Sequence, residues 1–526
     1  MTSHAAPMTP EGLDRIPRRG ALSRRSLLAG AALALPVSAL GTTLVSPLSA
    51  AAAGETGGPF AHPGLLHSQA DLDQVSALIG SGGEPWGEGW VRLLSSPHAS
   101  ANWASRETPL VVRGGTGENY PILYRDIHAA YQNALQWRLA GEQAHGDRAV
   151  AILNAWSSTL TQIGGNADRF LASGIYGYQF ANAAELVRDH PDFDQQGAED
   201  VLLDVFYPLA DDFLVRHNGA VITNYWANWD LANMCAVLAI GIFADRTDLV
   251  DQAIDYFYNG AGNGSIAHAV PFVYESEGLA QWQESGRDQA HTVLGIGLMG
   301  AFCEMAWQQG YDCYGALDNR FLKGAEYVAK YNLGEDVPFT TYTWQSGPAA
   351  TTAPHAGWAS QTVISDAVRG HLRPVWELVA GHYVGRRGLS APWVSQMAEQ
   401  VRVEGGGGQY GPNSGGYDQL GFGTLLHYPR VLMGVSATAV TRCVAGKVVV
   451  ALTITGDGAH AVRATASGDF GSKEIGPIQP GRKASVSLST RATAIADGQI
   501  ALTVRAVDDA SLVRSLVVPV GAASCQ

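Results

Sequence analysis

Leu231-Ala-Asn-Met-Cys-Ala-Val-Leu-Ala-Ile-Gly-Ile-Phe243 places apolar side chains on nearly every face of the helix that its composition favours. A helix facing solvent keeps a polar stripe, so one that is apolar all round belongs inside a layered structure. The stretch 293–306 reads the same way. Outward from these two, between about 62 and 400, apolar residues recur at i, i+3, i+4 and i+7, the period of amphipathic helices. Candidate helices cover 71–80, 126–141, 147–162, 176–189, 197–216, 228–244, 248–260, 287–309, 317–331, 360–371, 373–386 and 392–402. Their starts fall in pairs with longer loops between pairs. Helical hairpins joined in this way build a bundle, a solenoid or an α/α toroid. No internal repeat marks a solenoid array, so the pattern predicts a mainly α chain with a toroid, closed or nearly so, over 62–430.

After about residue 435 the period falls to 2. Lys447–Thr455, Ala461–Ala466, Ala484–Ser489, Ile500–Ala506 and Leu512–Val518 alternate and are broken by Gly, Pro, Asp and Asn. They predict a small antiparallel β-sandwich over 436–526. It has no Trp or Tyr, and Phe470 is its one Phe, so it lacks the aromatic platforms of a sugar-binding module and reads as a spacer.

A chain of 526 residues that is 46% hydrophobic and 16% charged is too long and apolar to be disordered or fibrous. Its net charge of −14 argues against nucleic acid as a partner, because counterion release needs clustered Lys and Arg. Residues 1–53 read as an export signal with Arg24-Arg25, an apolar stretch from Leu27 to Leu48 and the small-residue end Ser49-Ala-Ala-Ala-Ala53. Ser23-Arg-Arg-Ser-Leu-Leu28 resembles the twin-arginine signal, which predicts a secreted or extracytoplasmic protein with no membrane association after cleavage. A membrane anchor is the alternative, and the Gly, Pro, Ser and Thr diluting the stretch weigh against it. Removing 1–53 takes five Arg and two carboxylates, so the net charge moves from −14 to −17. In an oxidising compartment, Cys443 with Cys525 and Cys303 with Cys313 are the candidate bridges. Cys235 lies in the apolar helix as a small hydrophobe. No Cys/His cluster predicts a metal, and no motif predicts a cofactor.

The densest polar run is Gln281-Trp-Gln-Glu-Ser-Gly-Arg-Asp-Gln-Ala-His-Thr292, where a loop enters the apolar helix 293–306. So many polar side chains at such a place either face a cleft or satisfy one another. On a helix Arg287 and His291 share a face, and a guanidinium opposes protonation of a neighbouring imidazole, leaving it free to act as a base. The competing reading is a network holding loop to helix, with Asp288 pairing with Arg287. A second run, Thr223-Asn-Tyr-Trp-Ala-Asn-Trp-Asp230, offers amide donors and stacking faces to a sugar, or else helix caps from Asn224 or Asn228. A third, Val337-Pro-Phe-Thr-Thr-Tyr-Thr-Trp344, carries Tyr342, a candidate general acid. The Gly-rich run 405–419, which includes Tyr417, follows no strand and lacks the phosphate-loop signature, so it reads as a cleft wall.

Asn224-Tyr-Trp-Ala-Asn-Trp-Asp230, Glu284-Ser-Gly-Arg-Asp-Gln-Ala-His-Thr292, Ala325-Glu-Tyr-Val-Ala-Lys-Tyr-Asn332 and Val337-Pro-Phe-Thr-Thr-Tyr342, in that order, resemble the alginate-lyase-like polysaccharide lyases with an α/α toroid. The resemblance is closest to polysaccharide lyase family thirty-eight, which includes alginate and glucuronan lyases. It covers roughly 62–430, and Glu-Ser-Gly-Arg-Asp-Gln-x-His is its most specific part. It implies β-elimination on a 1,4-linked polyuronate by an Asn, an Arg, a His and a Tyr. By motif these fall on Asn228, Arg287, His291 and Tyr342, with Asn224 exchangeable for Asn228. Trp226, Gln283, Glu284, Gln289 and Tyr417 are the accompanying substrate-binding candidates. The family's further Arg has no counterpart in 330–345, and Arg373 is assigned to that place.

The chemistry fits these residue types. The proton at C5, next to the uronate carboxylate, must leave as the C4–O4 bond breaks. An amide and a guanidinium absorb the charge that builds on the carboxylate, while His or Tyr takes the proton and Tyr protonates the departing oxygen. Where the C5 proton and O4 leave from one face, as in mannuronate or glucuronate, one Tyr can serve twice. Where they leave from opposite faces, as in guluronate, His is the base and Tyr the acid. Two competing readings stand beside this one. A toroid glycoside hydrolase acting on an acidic polysaccharide would pair Glu284 with Asp230 or Glu277. A glycan-binding protein would bind without cleaving.

Overall fold

The computed structural model describes residues 58–525 apart from 81, 350–356, 412–413, 430–434, 457–459, 469 and 508–512. The predicted export signal, 1–53, lies outside the described residues. Helix starts follow local chemistry. Pro121 and Pro392 occupy first turns, where a missing N–H costs nothing. Asp194 and Asp288 cap their helices by accepting from the N–H groups of Gly197 and His291. Helices α1 (Gln69–Gly80) and α2 (Trp86–Leu94) are followed by α3 (Pro121–Ala140), α4 (Gln143–Thr159), α5 (Asp168–Glu185), α6 (Gln195–Val201), α7 (Tyr207–Arg216), α8 (Ala227–Phe243) and α9 (Thr247–Asn259). The one-turn α10 (Ile266–Ala269) precedes α11 (Gln289–Gln308), α12 (Ala316–Asn332), α13 (Trp376–Ala380), α14 (Pro392–Val401) and α15 (Gly423–Leu426).

α3, α5, α8 and α11 are successive neighbours, and α5, α8 and α11 are buried along almost their whole length. The apolar run 231–243 therefore lies inside, as its composition requires. α4 and α9 bury one stripe each, against α3 and α8. Gly174 of α5 lets two inner backbones touch, since a Cβ there would stand 2.7 Å from the carbonyl carbon of Ala232. At about 1.5–3 kcal/mol for each buried large apolar side chain, tertiary burial rather than helix propensity holds this scaffold.

Four expectations need correction. The helix expected at 360–371 is absent; Trp358–Gln361 instead pairs antiparallel with Tyr342–Gln345, as aromatic and β-branched residues favour. The helix expected at 197–216 is interrupted by a π-turn, Leu202–Phe206, just before Pro208, which has no N–H to continue an α ladder. The helix expected at 287–309 begins at Gln289, so Arg287 precedes the Asp288 cap. Cys303 and Cys313 are free and buried; burial pushes both thiols up, withdrawing the thiolate through which a bridge forms.

The C-terminal region forms two larger antiparallel sheets and the short antiparallel pair Ala494–Ile495 with Ala523–Ser524. Gly471–Ile478, Val462–Gly468, Gly498–Ala506 and Val513–Val520 make one, in that order across the sheet; Lys483–Ser489, Lys447–Gly456 and Val435–Val444 make the other. Val448, Val450, Leu452 and Ile454 alternate inward, and the last three share a core with Ile500, Leu502 and Val504, separate from the helical core. The expected Cys443–Cys525 disulfide is present and joins positions 82 apart in sequence. Reduction should remove about 2–5 kcal/mol of stability. Thermal unfolding with and without reductant checks this; the sheet transition should fall while the helical transition stays in place. Among the described residues no helix is long and apolar enough to cross a membrane.

Candidate active site

A chamber of about 370 Å3 opens at one end of the inner helices. Asn228 and Trp229 of α8, His291 and Leu294 of α11, and Asp168, Leu171 and Ile175 of α5 line it. Loop residues Arg113, Glu118, Tyr120, Arg287, Arg373, Gly415 and Asp418 complete the wall.

The first turn of α8 explains the core of the polar cluster. Its leading N–H groups need acceptors, and the segment before α11 supplies them. Gln283 Oε1 accepts from Ala227 N at 3.1 Å, and Glu284 Oε1 accepts from Asn228 N at 2.9 Å. The Asn228 amide nitrogen also donates to both Glu284 oxygens, at 2.8 and 2.9 Å. Arg287 Nη1 donates to Glu284 Oε2 at 2.8 Å. Burial pushes the Glu284 carboxyl up, while Arg287 and the Asn228 donors pull the other way.

His291 is held at both nitrogens. Nδ1 lies 2.7 Å from Asp288 Oδ2, and Nε2 lies 3.1 Å from Arg287 Nη2. A guanidinium only donates, so Nε2 is the acceptor, and the proton of the neutral ring sits on Nδ1 facing the carboxylate. Burial opposes ionisation of Asp288, but its bonds from His291 and the nearby Arg287 charge outweigh this and hold it down to about 2. Arg287 thus touches His291 from a turn rather than from the expected shared helical face. The guanidinium also lies 5.3 Å from the ring centre of Trp226, which packs on Trp344.

The other sequence-derived candidates divide. Arg373 lines the chamber, ion-paired with Asp418 at 3.2 Å and donating to Gly415 O and Gln419 Oε1. Asn224 accepts from Gly347 N and so anchors a loop instead of capping a helix. Asn228 is not the cap either; Trp226 holds that place. Gln283 and Gln289 are buried in the loop-to-helix network, Gln289 donating to Ser285 O and Ser365 O. Tyr417 is not a cleft-facing ring: it is 4% exposed, stacked on Tyr124, and bonded through its hydroxyl to His98. Tyr342 is 8% exposed, and its hydroxyl donates to Asn263 Oδ1 at 3.2 Å. Burial, with Glu284 and Asp230 adding, pushes this phenol up.

The carboxylate pairs of the hydrolase reading do not meet in the chamber. Asp230 is buried on His217 and Tyr256, and Glu277 stands in an exposed turn. Among the described residues no group of three His, Cys, Asp or Glu could hold a metal ion. Sequence reasoning missed Arg113, Glu118, Tyr120 and Asp168 as wall residues, whereas Trp229 falls in the run offered for stacking, and Gly415 and Asp418 fall in the Gly-rich run expected as a cleft wall. The only local signal was Arg113 between the strand 110–112 and Gly114-Gly115.

Residues 117–338 match the family model described as Alginate lyase. The matched span contains Asn228, Glu284, Arg287 and His291 and stops short of Tyr342. The match marks the chain as an alginate-lyase-like protein and a polysaccharide lyase enzyme. Among solved structures, an alginate lyase from Bacteroides ovatus is 12% identical with a TM-score of 0.38, covering 52% of this chain and 84% of that one. Alginate lyase A1-III from Sphingomonas species A1 is 13% identical with a TM-score of 0.45, covering 71% of this chain and 97% of that one. A tyrosine-to-phenylalanine form of A1-III complexed with a tetrasaccharide is 12% identical, TM-score 0.43, with coverages of 71% and 97%. No curated protein matches the chain.

Proposed function

We propose that this exported enzyme cleaves a 1,4-linked polyuronate, alginate first and glucuronan second, by β-elimination, on a scaffold read as an α/α toroid of the family-thirty-eight type. The observation that supports this most is the contact chain Asp288–His291–Arg287–Glu284–Asn228, of which Asn228, Arg287 and His291 line the chamber. It supplies an imidazole whose Nε2 faces a guanidinium as an acceptor, next to a cation that can face a carboxylate.

On a guluronate unit, where the C5 proton and O4 leave from opposite faces, His291 Nε2 exchanges its contact with Arg287 for the C5 proton, and Asp288 steadies the imidazolium that forms. The C5–H electrons become the C4=C5 double bond as the C4–O4 bond breaks. Arg287 draws the charge building on the uronate carboxylate. Asn228 has its amide nitrogen on Glu284, so its part is to fix Glu284 and through it Arg287, rather than to donate to the substrate. Tyr342 holds its proton because burial and two carboxylates favour the neutral phenol. That makes it an acid for O4 rather than a base, once it exchanges its bond to Asn263 for one to the substrate.

Incubation with polymannuronate, polyguluronate and glucuronan should give an unsaturated, ultraviolet-absorbing chain end from at least one of them. Tyr342→Phe should lower kcat by about 10²–10⁴-fold. New reducing ends without unsaturation would overturn elimination in favour of hydrolysis, and binding without cleavage would leave a glycan-binding protein. A His base with a Tyr acid is the opposite-face arrangement, so cleavage of polyguluronate supports this division of labour.

A further inference from the structure

The chamber holds three arginines, and they are not equivalent. Arg287 is ion-paired with Glu284 at 2.8 Å and lies 3.5 Å from Asp288. Arg373 is ion-paired with Asp418 at 3.2 Å. Arg113 has no ion pair among the described residues. Its Nη1 donates to the Tyr176 hydroxyl at 3.1 Å, and its guanidinium lies 5.1 Å and 5.7 Å from the ring centres of Tyr120 and Tyr176. Two aromatic faces orient a guanidinium without neutralising it. Its backbone is fixed as well: Arg113 N donates to Gly164 O at 3.0 Å, just beyond the paired strands 110–112 and 162–164.

An oriented guanidinium with no salt bridge among the described residues, on the wall of an open chamber, is a site for a planar anion, because its fork of N–H donors matches a carboxylate. Tyr176 belongs to α5 and His291 to α11, with α8 packed against both. Arg113, held against Tyr176 of α5, and Arg287, in the turn before α11, therefore reach the chamber from different segments. Glu118, Asp168 and Asp418 line the same chamber; Asp168 and Asp418 also act on Arg113 through their charges, and all three carboxylates restrict where a substrate carboxylate can lie.

We propose that Arg113 is a second carboxylate anchor, which binds the uronate next to the one that Arg287 and His291 engage. The substrate class is then a polymer with uronates on adjacent sugars, not one in which uronates alternate with neutral sugars. This rests on the polyuronate reading above, and the test is a binding measurement that does not depend on cleavage.

In a His291→Ala background, calorimetry compares a uronate tetrasaccharide with an analogue in which every second carboxylate is reduced to a primary alcohol. The background protein should bind the full uronate at least tenfold more tightly. Adding Arg113→Gln should weaken the full uronate about tenfold and leave the analogue unchanged, so that the preference disappears. Arg113→Lys, which keeps the cation, should recover part of it. Equal loss of both ligands on Arg113→Gln, or no loss of either, would overturn the proposal. Failure of the wild-type enzyme to form unsaturated ends would instead overturn the elimination reading and leave this binding result standing.

Discussion

His291→Ala should lower kcat on the preferred polyuronate by about 10²–10⁴-fold, the range that a positioned general base contributes, with KM changed far less. The imidazole is braced from both sides, by Asp288 at 2.7 Å and by Arg287 at 3.1 Å, so little freedom remains to be lost on reaching the transition state. Initial rates of ultraviolet absorbance at saturating polymer measure this. An equal rise in KM at constant kcat would make His291 a binding residue and sink the assignment. The pH dependence has a defined sign. Asp288 is depressed from 3.8 to about 2, so its hold on His291 is complete above 3.8 and is lost only as pH falls towards 2. Activity lost in weakly acidic buffer is therefore not Asp288's. Asp288→Asn should cost activity at every pH, because an amide can turn its N–H towards Nδ1 and shift the ring proton to Nε2.

Arg287→Ala should show two separable effects. Rate should fall by about 10²–10³-fold, the scale of losing one preorganised charge-stabilising group. Stability should also fall, by about 3–5 kcal/mol, because Glu284 is fully buried and Arg287 is its ion-pair partner. Thermal melting and steady-state rates measured together separate the two. Arg287→Ala with Glu284→Gln should regain much of the melting temperature, since no buried charge is stranded, while the rate stays low. Recovery of both would mean that Arg287 serves only to neutralise Glu284 and has no part in the reaction.

Some of this was legible in one dimension. The run 231–243 could satisfy its side chains only inside a layered helical body, and alternation after 435 could only mean sheet, since both patterns are local. The Glu284-to-His291 run was conspicuous because six polar side chains precede an apolar helix; Glu284, Arg287, Asp288 and His291 contact one another, while Gln289 bonds to Ser285 O and Ser365 O. Its internal roles were less legible. Arg287 sits before the cap, and Asn228 is turned to Glu284, a partner 56 residues away. The missed strand 358–361 and the buried Tyr417 share one cause: ribbon pairing and ring stacking depend on which distant segment arrives opposite, and a window of sequence does not contain it.

The sequence by itself therefore determined the helical body, the later sheets, and which short run would be dense in polar groups, because periodicity and local composition are properties of contiguous residues. Tertiary structure alone decided that Gln283 and Glu284 cap α8, that Arg113, Arg373 and Asp418 share a chamber with His291, and that Tyr342 rests on Asn263. Those outcomes depend on pairing charges and donors from segments far apart in the chain, and a buried charge takes its partner from whatever the packed core brings within reach.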